Sequence, residues 1–238
     1  MLQTLAPHHA SVPAAAPLRE QAPLADALLK ARLLPKRRQL RAGQAVYRAG
    51  ESFHVVYFLQ AGCVKTVIAA ADGRERVTGF HLRGELLGME ALGATGHSCD
   101  AIALEDGEVW EIPVEQLFGA CATDPQLQRA LTATLAAEIR SGRGWMLAAG
   151  TLGATQRVAA LLLELGRREA ALGYSACHLV LRMTRADIGS LLGLTLETVT
   201  RALTQLKDSG LISVERRDIV LRDRAALEQW VATPARLH

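Results

Sequence analysis

MTRADIGSLLGLTLETVTRALTQLKDSGLISVERRDIVLRD, residues 183–223, holds two short amphipathic segments joined at a glycine. Thr184 is followed three residues later by Asp187, a shorter form of the capping box that begins many helices. Gly193 supplies a tight turn, and Thr195 can cap a second helix that continues to about residue 210. Two short helices joined by such a turn form a helix-turn-helix, and this pairing decides the fold of the C-terminal part.

The second predicted helix has two faces of different chemistry. Its apolar residues recur at steps of three and four, which predicts a buried stripe of Leu196, Val199, Leu203 and Leu206. The same helical period places Glu197, Thr200 and Arg201 together on the opposite face. An arginine fork can bond guanine O6 and N7, a carboxylate can accept from cytosine N4, and threonine offers a methyl and a hydroxyl. An exposed Glu–Arg ion pair is the alternative, but the capped motif favours contact with DNA bases.

A hairpin is predicted directly after this helix, in the segment ISVERRDIVL, residues 212–221. Its tip carries Arg216 and Arg217, which gives a winged variant of the motif. The second helix of a helix-turn-helix lies in the DNA major groove. We therefore predict that double-stranded DNA is contacted by a set of polar and basic residues: Thr184, Thr195, Glu197, Thr200, Arg201, Arg216 and Arg217.

Residues 39–112 have the pattern of a β-domain, with short apolar runs broken by glycines. The runs VVYFLQ, residues 55–60, and VKTVIA, residues 64–69, are rich in β-branched and aromatic residues. Asp72-Gly73 is a hairpin turn signal. Short strands spaced by turns indicate a compact β-barrel or jelly roll.

Helical periodicity begins after Pro113. From Pro125 onward, apolar residues step by four along one long helix, at Leu127, Leu131, Leu135 and Ile139. We favour packing of this stripe on the same helix of a second subunit, and burial within the same chain is the alternative. A further helix over residues 154–168 and a strand over residues 178–183 lead into the helix-turn-helix.

The chain is thus predicted to be an α+β protein with several parts. These are a flexible tail over residues 1–23, a β-roll sensor domain over 24–124, a dimerisation helix over 125–149 and a winged helix-turn-helix domain over 150–238. A short helix is expected over residues 23–34. We interpret the basic cluster at residues 36–38 as a solvated loop or a strand edge.

Composition indicates the cellular compartment and the kinds of partner that the protein has. The 238 residues carry a net charge of +3, and the basic excess lies in residues 151–238, with 12 basic against 9 acidic side chains. The 4 cysteines form no C-x-x-C pair for a metal or redox site. The sequence shows no signal peptide and no apolar run long enough to cross a membrane. We therefore expect a cytoplasmic protein without a membrane partner.

The order of β-roll, long helix and winged helix-turn-helix resembles the Crp/Fnr superfamily of bacterial transcription regulators. The segments VTGFHLRGELLGMEALG, residues 77–93, and TRADIGSLLGLTLETVTRAL, residues 184–203, are most similar to its Fnr branch. The resemblance implies a cyclic-nucleotide-binding-like β-roll of jelly-roll type. It also implies a homodimer that binds a palindromic DNA site and contacts RNA polymerase, more often as an activator.

The resemblance also indicates the DNA half-site. In this superfamily an E-x-x-S/T-R pattern recognises the half-site, and it falls here on Glu197, Thr200 and Arg201. The cyclic-AMP-responsive branch carries an arginine directly before the glutamate, where this chain has Leu196. A TTGAT-like half-site is therefore expected rather than one of the TGTGA type.

The chain departs from the superfamily at its signal-sensing positions. Fnr-type oxygen sensors hold a [4Fe–4S] cluster through N-terminal cysteines and one cysteine in the roll. This chain has no cysteine before Cys63 and has Trp110 at the internal position, so we predict that the cluster is absent. The cyclic-AMP cassette pairs a Gly-Glu-Leu turn, present at residues 84–86, with an arginine that is His97 here. Loss of the guanidinium argues against cyclic-AMP binding.

Other interpretations stay open. Haem could bind through a histidine, and the candidates are His8, His9, His54, His81 and His97. Redox sensing could use a cysteine, and the candidates are Cys63, Cys99 and Cys121. Abundance alone could also set activity, with no small molecule bound. A cupin-type metalloenzyme is a rival class, but it usually shows an H-x-H pair, and His81 is followed by leucine and arginine. A C-terminal domain that binds a protein is a second rival, and the chemistry of the recognition face argues against it.

Overall fold

The computed structural model describes residues 22–31, 33, 35–70 and 73–233. The predicted tail lies almost wholly outside these residues, as does Asp72 of the predicted hairpin turn. Helix α1 spans Ala22–Lys30, so the helix predicted over residues 23–34 extends too far. Pro35 follows soon after α1, and a proline disfavours helical backbone in the residue before it.

The N-terminal domain is a roll of antiparallel strands. They are β1 (Lys36–Leu40), β2 (Ala45–Tyr47), β3 (Val55–Ala61), β4 (Cys63–Ala69), β5 (Glu75–Leu82), β6 (Leu86–Leu87), β7 (Asp100–Ala103) and β8 (Gly107–Pro113). Over the described residues they form two four-stranded sheets, ordered β1-β8-β3-β6 and β2-β7-β4-β5. The predicted strands at residues 55–60 and 64–69 are confirmed as β3 and β4. Apolar side chains from both sheets fill the core between them, among them Tyr47, Leu59, Val64, Leu87 and Val109. The basic cluster lies in β1, at a sheet edge.

Two helices follow the roll, α2 (Val114–Thr123) and α3 (Pro125–Thr151). Asp124 separates them and caps α3, because its carboxylate accepts hydrogen bonds from the backbone N–H groups of Gln126 and Leu127. Although α3 has 27 residues, neither it nor any other helix of the described ranges is apolar enough to cross a membrane.

The apolar stripe predicted for α3 divides between two environments. Leu127 and Leu131 are buried within the chain, in a cluster with Leu24 of α1. Packing on a second subunit is therefore the wrong interpretation for this half of the stripe, because α1 already covers it. Ile139 and Met146 are 57 % and 77 % exposed, so the second half of α3 presents an uncovered apolar face.

The C-terminal elements share one apolar core with the roll. They are α4 (Ala154–Ala171), β9 (His178–Val180), α5 (Arg185–Leu192), α6 (Leu196–Asp208), β10 (Ile212–Glu215), β11 (Asp218–Leu221) and α7 (Arg224–Ala232). The strands form an antiparallel sheet in the order β10-β11-β9, and β9 is shorter than the strand predicted over residues 178–183. One buried cluster joins Val77 of the roll to Leu162 of α4 and Leu203 of α6.

Close backbone contact sets the geometry of the turn between α5 and α6. Gly193 ends α5 with a φ of 66°, a left-handed conformation that glycine adopts without strain. A Cβ on Gly189 would lie 2.7 Å from the carbonyl oxygen of Leu194, so the helix approaches the turn more closely than a side chain permits. The glycine turn predicted from the sequence is confirmed.

Candidate nucleic-acid interface

Both predicted helix caps of the helix-turn-helix are confirmed. The Thr184 hydroxyl accepts a 3.1 Å hydrogen bond from the backbone N–H of Asp187. In return, the Asp187 carboxylate accepts bonds from the Thr184 backbone N–H at 3.0 Å and hydroxyl at 2.6 Å. The Thr195 hydroxyl accepts from the backbone N–H of Thr198 at 3.2 Å. Each helix therefore begins at an exposed threonine, where the positive end of the helix dipole favours an anion.

The predicted two faces of α6 are present, with one exception. Val199, Leu203 and Leu206 are buried as expected. Leu196 is 47 % exposed, so its assignment to the buried stripe was wrong. It is the first residue of α6, and the stripe extends beyond the core at this end of the helix.

Two of the predicted base-contacting residues are exposed to solvent. Arg201 and Glu197 are both exposed, and in the described part of the chain no ion pair joins them. Arg201 instead donates from Nη2 to the Thr198 hydroxyl at 3.3 Å. The pKa of Glu197 lies below its usual value, because its own backbone N–H, the Thr195 hydroxyl and the positive charge of Arg201 all favour the ionised carboxylate. Glu197 is therefore an ionised acceptor at neutral pH, and most of the Arg201 fork stays available.

Thr200 is half-buried and its hydroxyl is already engaged. The hydroxyl donates to the carbonyl oxygen of Leu196 at 2.9 Å and accepts from Nη1 of Arg185 at 3.3 Å. Arg185 is the first residue of α5 and is exposed, so it adds a cation to this surface. Our sequence prediction missed Arg185, although its position directly after the cap Thr184 was the available signal.

The wing is a tight hairpin, as predicted. Strands β10 and β11 pair from Ile212 opposite Leu221 to Glu215 opposite Asp218, which leaves Arg216 and Arg217 as the loop. Arg216 has a φ of 55°, an uncommon conformation for a residue other than glycine. Both arginine side chains are exposed, so the wing ends in two positive charges.

A separate cavity of about 320 Å³ lies between the roll, α3 and α4. Several carboxylates line it, namely Glu85, Glu90, Glu138 and Glu164, together with Arg168. Arg168 donates to Glu85 at 2.6 and 3.0 Å and to the carbonyl oxygen of Phe80 at 2.6 Å. The Arg168 guanidinium thus bonds to groups of the chain itself, and a nucleotide phosphate in this cavity would lie near carboxylates. The cavity does not fit a cyclic nucleotide.

The histidine that stands where the cyclic-AMP branch has arginine also contacts other side chains of the roll. The His97 ring is buried and stacks on Tyr47, with 3.8 Å between ring centroids. Its Nδ1 lies 3.0 Å from a Glu90 carboxylate oxygen. His97 therefore belongs to a packed cluster inside the roll, and this agrees with the sequence argument against cyclic AMP.

The remaining sensor candidates gain no support from the described residues. His54 is exposed, His81 lies 3.5 Å from the Glu85 carboxylate, and His8 and His9 lie outside the described residues. Within the described ranges no group of three or more His, Cys, Asp and Glu side chains could hold a metal ion. Burial raises the pKa of both Cys63 and Cys99 to about 12, so these thiols stay protonated and poorly reactive. Burial also raises the pKa of Cys121.

Comparison with known protein families matches both halves of the chain. Residues 37–124 match the cyclic nucleotide-binding domain, and residues 156–230 match the Crp-like helix-turn-helix domain. The transcriptional regulatory protein btr of Bordetella pertussis is 36% identical over 223 residues, which cover 94% of this chain and 90% of that protein. The fumarate and nitrate reduction regulatory protein of Escherichia coli is 34% identical over 197 residues, which cover 83% of this chain and 79% of that protein.

Solved structures show the same architecture. FixK2 from Bradyrhizobium japonicum superimposes with a TM-score of 0.76 and 36% sequence identity, over 85% of this chain and 100% of that chain. The two family matches follow the order of the domains found here, a β-roll followed by a helix-turn-helix. The chain therefore belongs to the Crp/Fnr family of transcription regulators, as its sequence resemblance predicted.

Proposed function

We propose that this chain acts as a homodimer that binds a palindromic DNA site built from two TTGAT-like half-sites. The observation that carries the proposal is the exposed face of α6, which presents Glu197, Thr200 and Arg201. These residues match the E-x-x-S/T-R pattern by which the family recognises its half-site, and Leu196 stands where the cyclic-AMP-responsive branch has arginine.

Base recognition follows from the hydrogen-bonding state of each side chain. Arg201 keeps most of its donors free and can bond O6 and N7 of the guanine in TTGAT. The ionised Glu197 carboxylate can accept from the N4 amino group of a cytosine. The Thr200 hydroxyl is engaged within the protein, which leaves its methyl for contact with a thymine methyl. Each well-placed base contact is worth about 1–3 kcal/mol of discrimination.

Phosphate contacts complete the interface. We place Arg216 and Arg217 of the wing against the DNA backbone, together with the helix ends capped by Thr184 and Thr195. Such contacts fix the register of the protein on DNA without reading its sequence. They also make binding depend on salt, because each neutralised phosphate releases counterions.

The exposed face of α3 supports the homodimer. Ile139 and Met146 are seven residues apart and share one side of the helix, the spacing at which two helices pack along a common seam. Nothing would lie within 4 Å of a Cβ on Gly142, which stands between them, so a partner helix could approach closely there. A symmetric dimer then presents two copies of α6 to the two halves of a palindrome.

We further infer that the DNA-bound dimer contacts RNA polymerase and activates transcription, acting in the cytoplasm where its DNA target lies. The matched relatives are regulatory proteins, which supports a role in transcription and not in catalysis. Transcription of a promoter that carries the palindrome, with purified polymerase, should rise when the protein is added. A fall in transcript would identify a repressor instead.

Fluorescence anisotropy with a labelled TTGAT-N4-ATCAA duplex tests the DNA site. We expect binding tighter than to a scrambled duplex of the same composition by a factor of about 1,000 or more at physiological salt. Equal affinity for the two duplexes would contradict the proposal. Sedimentation of the protein alone tests the dimer in the same buffer.

A further inference from the structure

The first helix of the helix-turn-helix is held by the roll as well as by its own domain. Lys65 of β4 donates from Nζ to Oδ1 of Asp187 on α5 at 2.5 Å. The two side chains are 22% and 11% exposed, so this ion pair is largely shielded from solvent. Partial burial strengthens the attraction between the charges relative to a pair in water. The contact joins residues from the two domains at the start of α5.

Asp187 links this contact to the helix cap. One carboxylate oxygen accepts from Lys65, and the other accepts from the backbone N–H and hydroxyl of Thr184. Although burial would raise the pKa of Asp187, these hydrogen bonds outweigh it and hold the pKa below its usual value. The carboxylate that begins α5 therefore also connects that helix to the roll.

A second contact lies further along α5. Strand β5 is the edge of its sheet, and its backbone N–H at Val77 donates to the Ser190 hydroxyl at 2.8 Å. The register of β4 and β5 shifts beside this point, between Thr66 and Val67. The edge of the roll is thus covered by α5, and a strand edge that is covered in this way has few free donors.

A third contact lies at the end of α5. Nη2 of Arg76, the residue before Val77, would be 3.0 Å from a Cβ on Gly193, so the guanidinium lies against the turn. Contacts at the start, middle and end of one helix leave it little freedom to tilt. Because Gly189 packs against the turn, α6 follows the orientation of α5.

We propose that Lys65 is a positioning residue for DNA recognition, which sets the direction of α6 relative to the roll through Asp187. The proposal rests on the dimeric DNA binding proposed above. In a dimer joined through α3, the placement of each winged domain on its roll sets the distance between the two recognition helices. Half-sites read by such dimers lie about one helical turn, or 34–36 Å, apart. The contacts between the roll and α5 therefore determine which length of spacer between the half-sites the dimer prefers.

The test compares the full-length Lys65→Met variant with the wild type on four duplexes. Three are TTGAT palindromes with the N4 spacer or with one base pair fewer or more, and the fourth carries a single half-site. Methionine keeps most of the side-chain length and removes the charge. Lys36→Met is the matched control, because Lys36 is 81% exposed and pairs loosely, at 3.7 Å, with Glu111 of the roll.

We expect Lys65→Met to bind the palindrome with the preferred spacer about tenfold more weakly than the wild type does. The variant should also discriminate less among the three palindromes. Its affinity for the single half-site should change less than twofold. Lys65→Arg should keep the wild-type spacer preference. Ser190→Ala removes the second contact and should relax the preference in the same direction. Thermal melting in the same buffer confirms that each variant is folded.

Two results would overturn the role of Lys65. One is a wild-type spacer preference in Lys65→Met, and the other is an equal loss on the palindromes and on the single half-site, as expected of a phosphate contact. A wild type without any preference among the duplexes would instead contradict the proposed palindromic site, and this role with it.

Discussion

Arg168 is the residue whose replacement should change the stability of this protein most clearly. Its guanidinium is 11% exposed and the Glu85 carboxylate that it bonds is 10% exposed, so the pair is buried between α4 and the roll. Replacing Arg168 by methionine fills similar space but leaves the carboxylate without its cation and the Phe80 carbonyl without its donor. Breaking a buried pair on one side costs about 3–5 kcal/mol.

The loss should depend on pH in a defined direction. In the wild type, burial raises the pKa of Glu85, but Arg168 and His81 together outweigh burial and lower it, so the pair stabilises the fold above the usual carboxyl pKa. This contribution disappears only as pH falls through the lowered pKa. In Arg168→Met, only His81 still opposes burial at Glu85, so the pKa of this carboxyl rises relative to the wild type. The variant should therefore regain part of its stability as pH falls from 7 to 5, and its deficit should narrow.

Urea unfolding followed by circular dichroism at pH 7 and pH 5 measures both effects. The double variant Arg168→Met/Glu85→Gln removes the stranded charge and should recover about half of the loss, because neutral replacements of buried pairs are better tolerated. Arg182→Met is the matched control. Arg182 pairs with Glu105 at 2.7 Å and with Glu169 at 3.3 Å but is 32% exposed, so about 1 kcal/mol is expected. A loss below 1 kcal/mol in Arg168→Met, or a deficit that widens at pH 5, would refute this account of the pair.

Other predictions concern the DNA-binding domain and the dimer. Arg216→Gly should raise the free energy of unfolding by about 1 kcal/mol, because glycine accepts a φ of 55° without strain. The same change should weaken binding to all DNA sequences alike and flatten the salt dependence of DNA binding. Equal salt slopes for variant and wild type would contradict the phosphate contact. Thr195→Ala should lower stability by about 1 kcal/mol through loss of the α6 cap, whereas Thr195→Ser should not; urea unfolding separates them. Ile139→Glu should give monomers in sedimentation experiments, since it places a charge on the exposed α3 face; an unchanged dimer would exclude that face.

The helix-turn-helix could be predicted in detail because its signals are local. Thr184 and Asp187 are three residues apart, and Gly193 and Thr195 mark the end of one helix and the start of the next. The hairpin with Arg216 at its tip also follows from neighbouring residues. Such short-range chemistry acts in nearly the same way in a peptide and in a folded domain.

The tertiary contacts could not be predicted in this way. Lys65 and Asp187 are 122 positions apart, and Glu85 and Arg168 are 83 positions apart, so no periodicity connects them. The apolar stripe of α3 showed that the helix is amphipathic but not which neighbour covers each half. The exposure of Leu196 has the same origin, since periodicity does not show where the core ends.

Above all, we propose that Arg201 recognises the guanine of the half-site. The most direct measurement is anisotropy binding of wild type and Arg201→Ala to the TTGAT palindrome and to a palindrome with that G·C pair changed to A·T in both halves. We predict that the wild type prefers the guanine-containing duplex by about 1–3 kcal/mol per half-site and that Arg201→Ala shows no preference. The same preference in both proteins would contradict the claim.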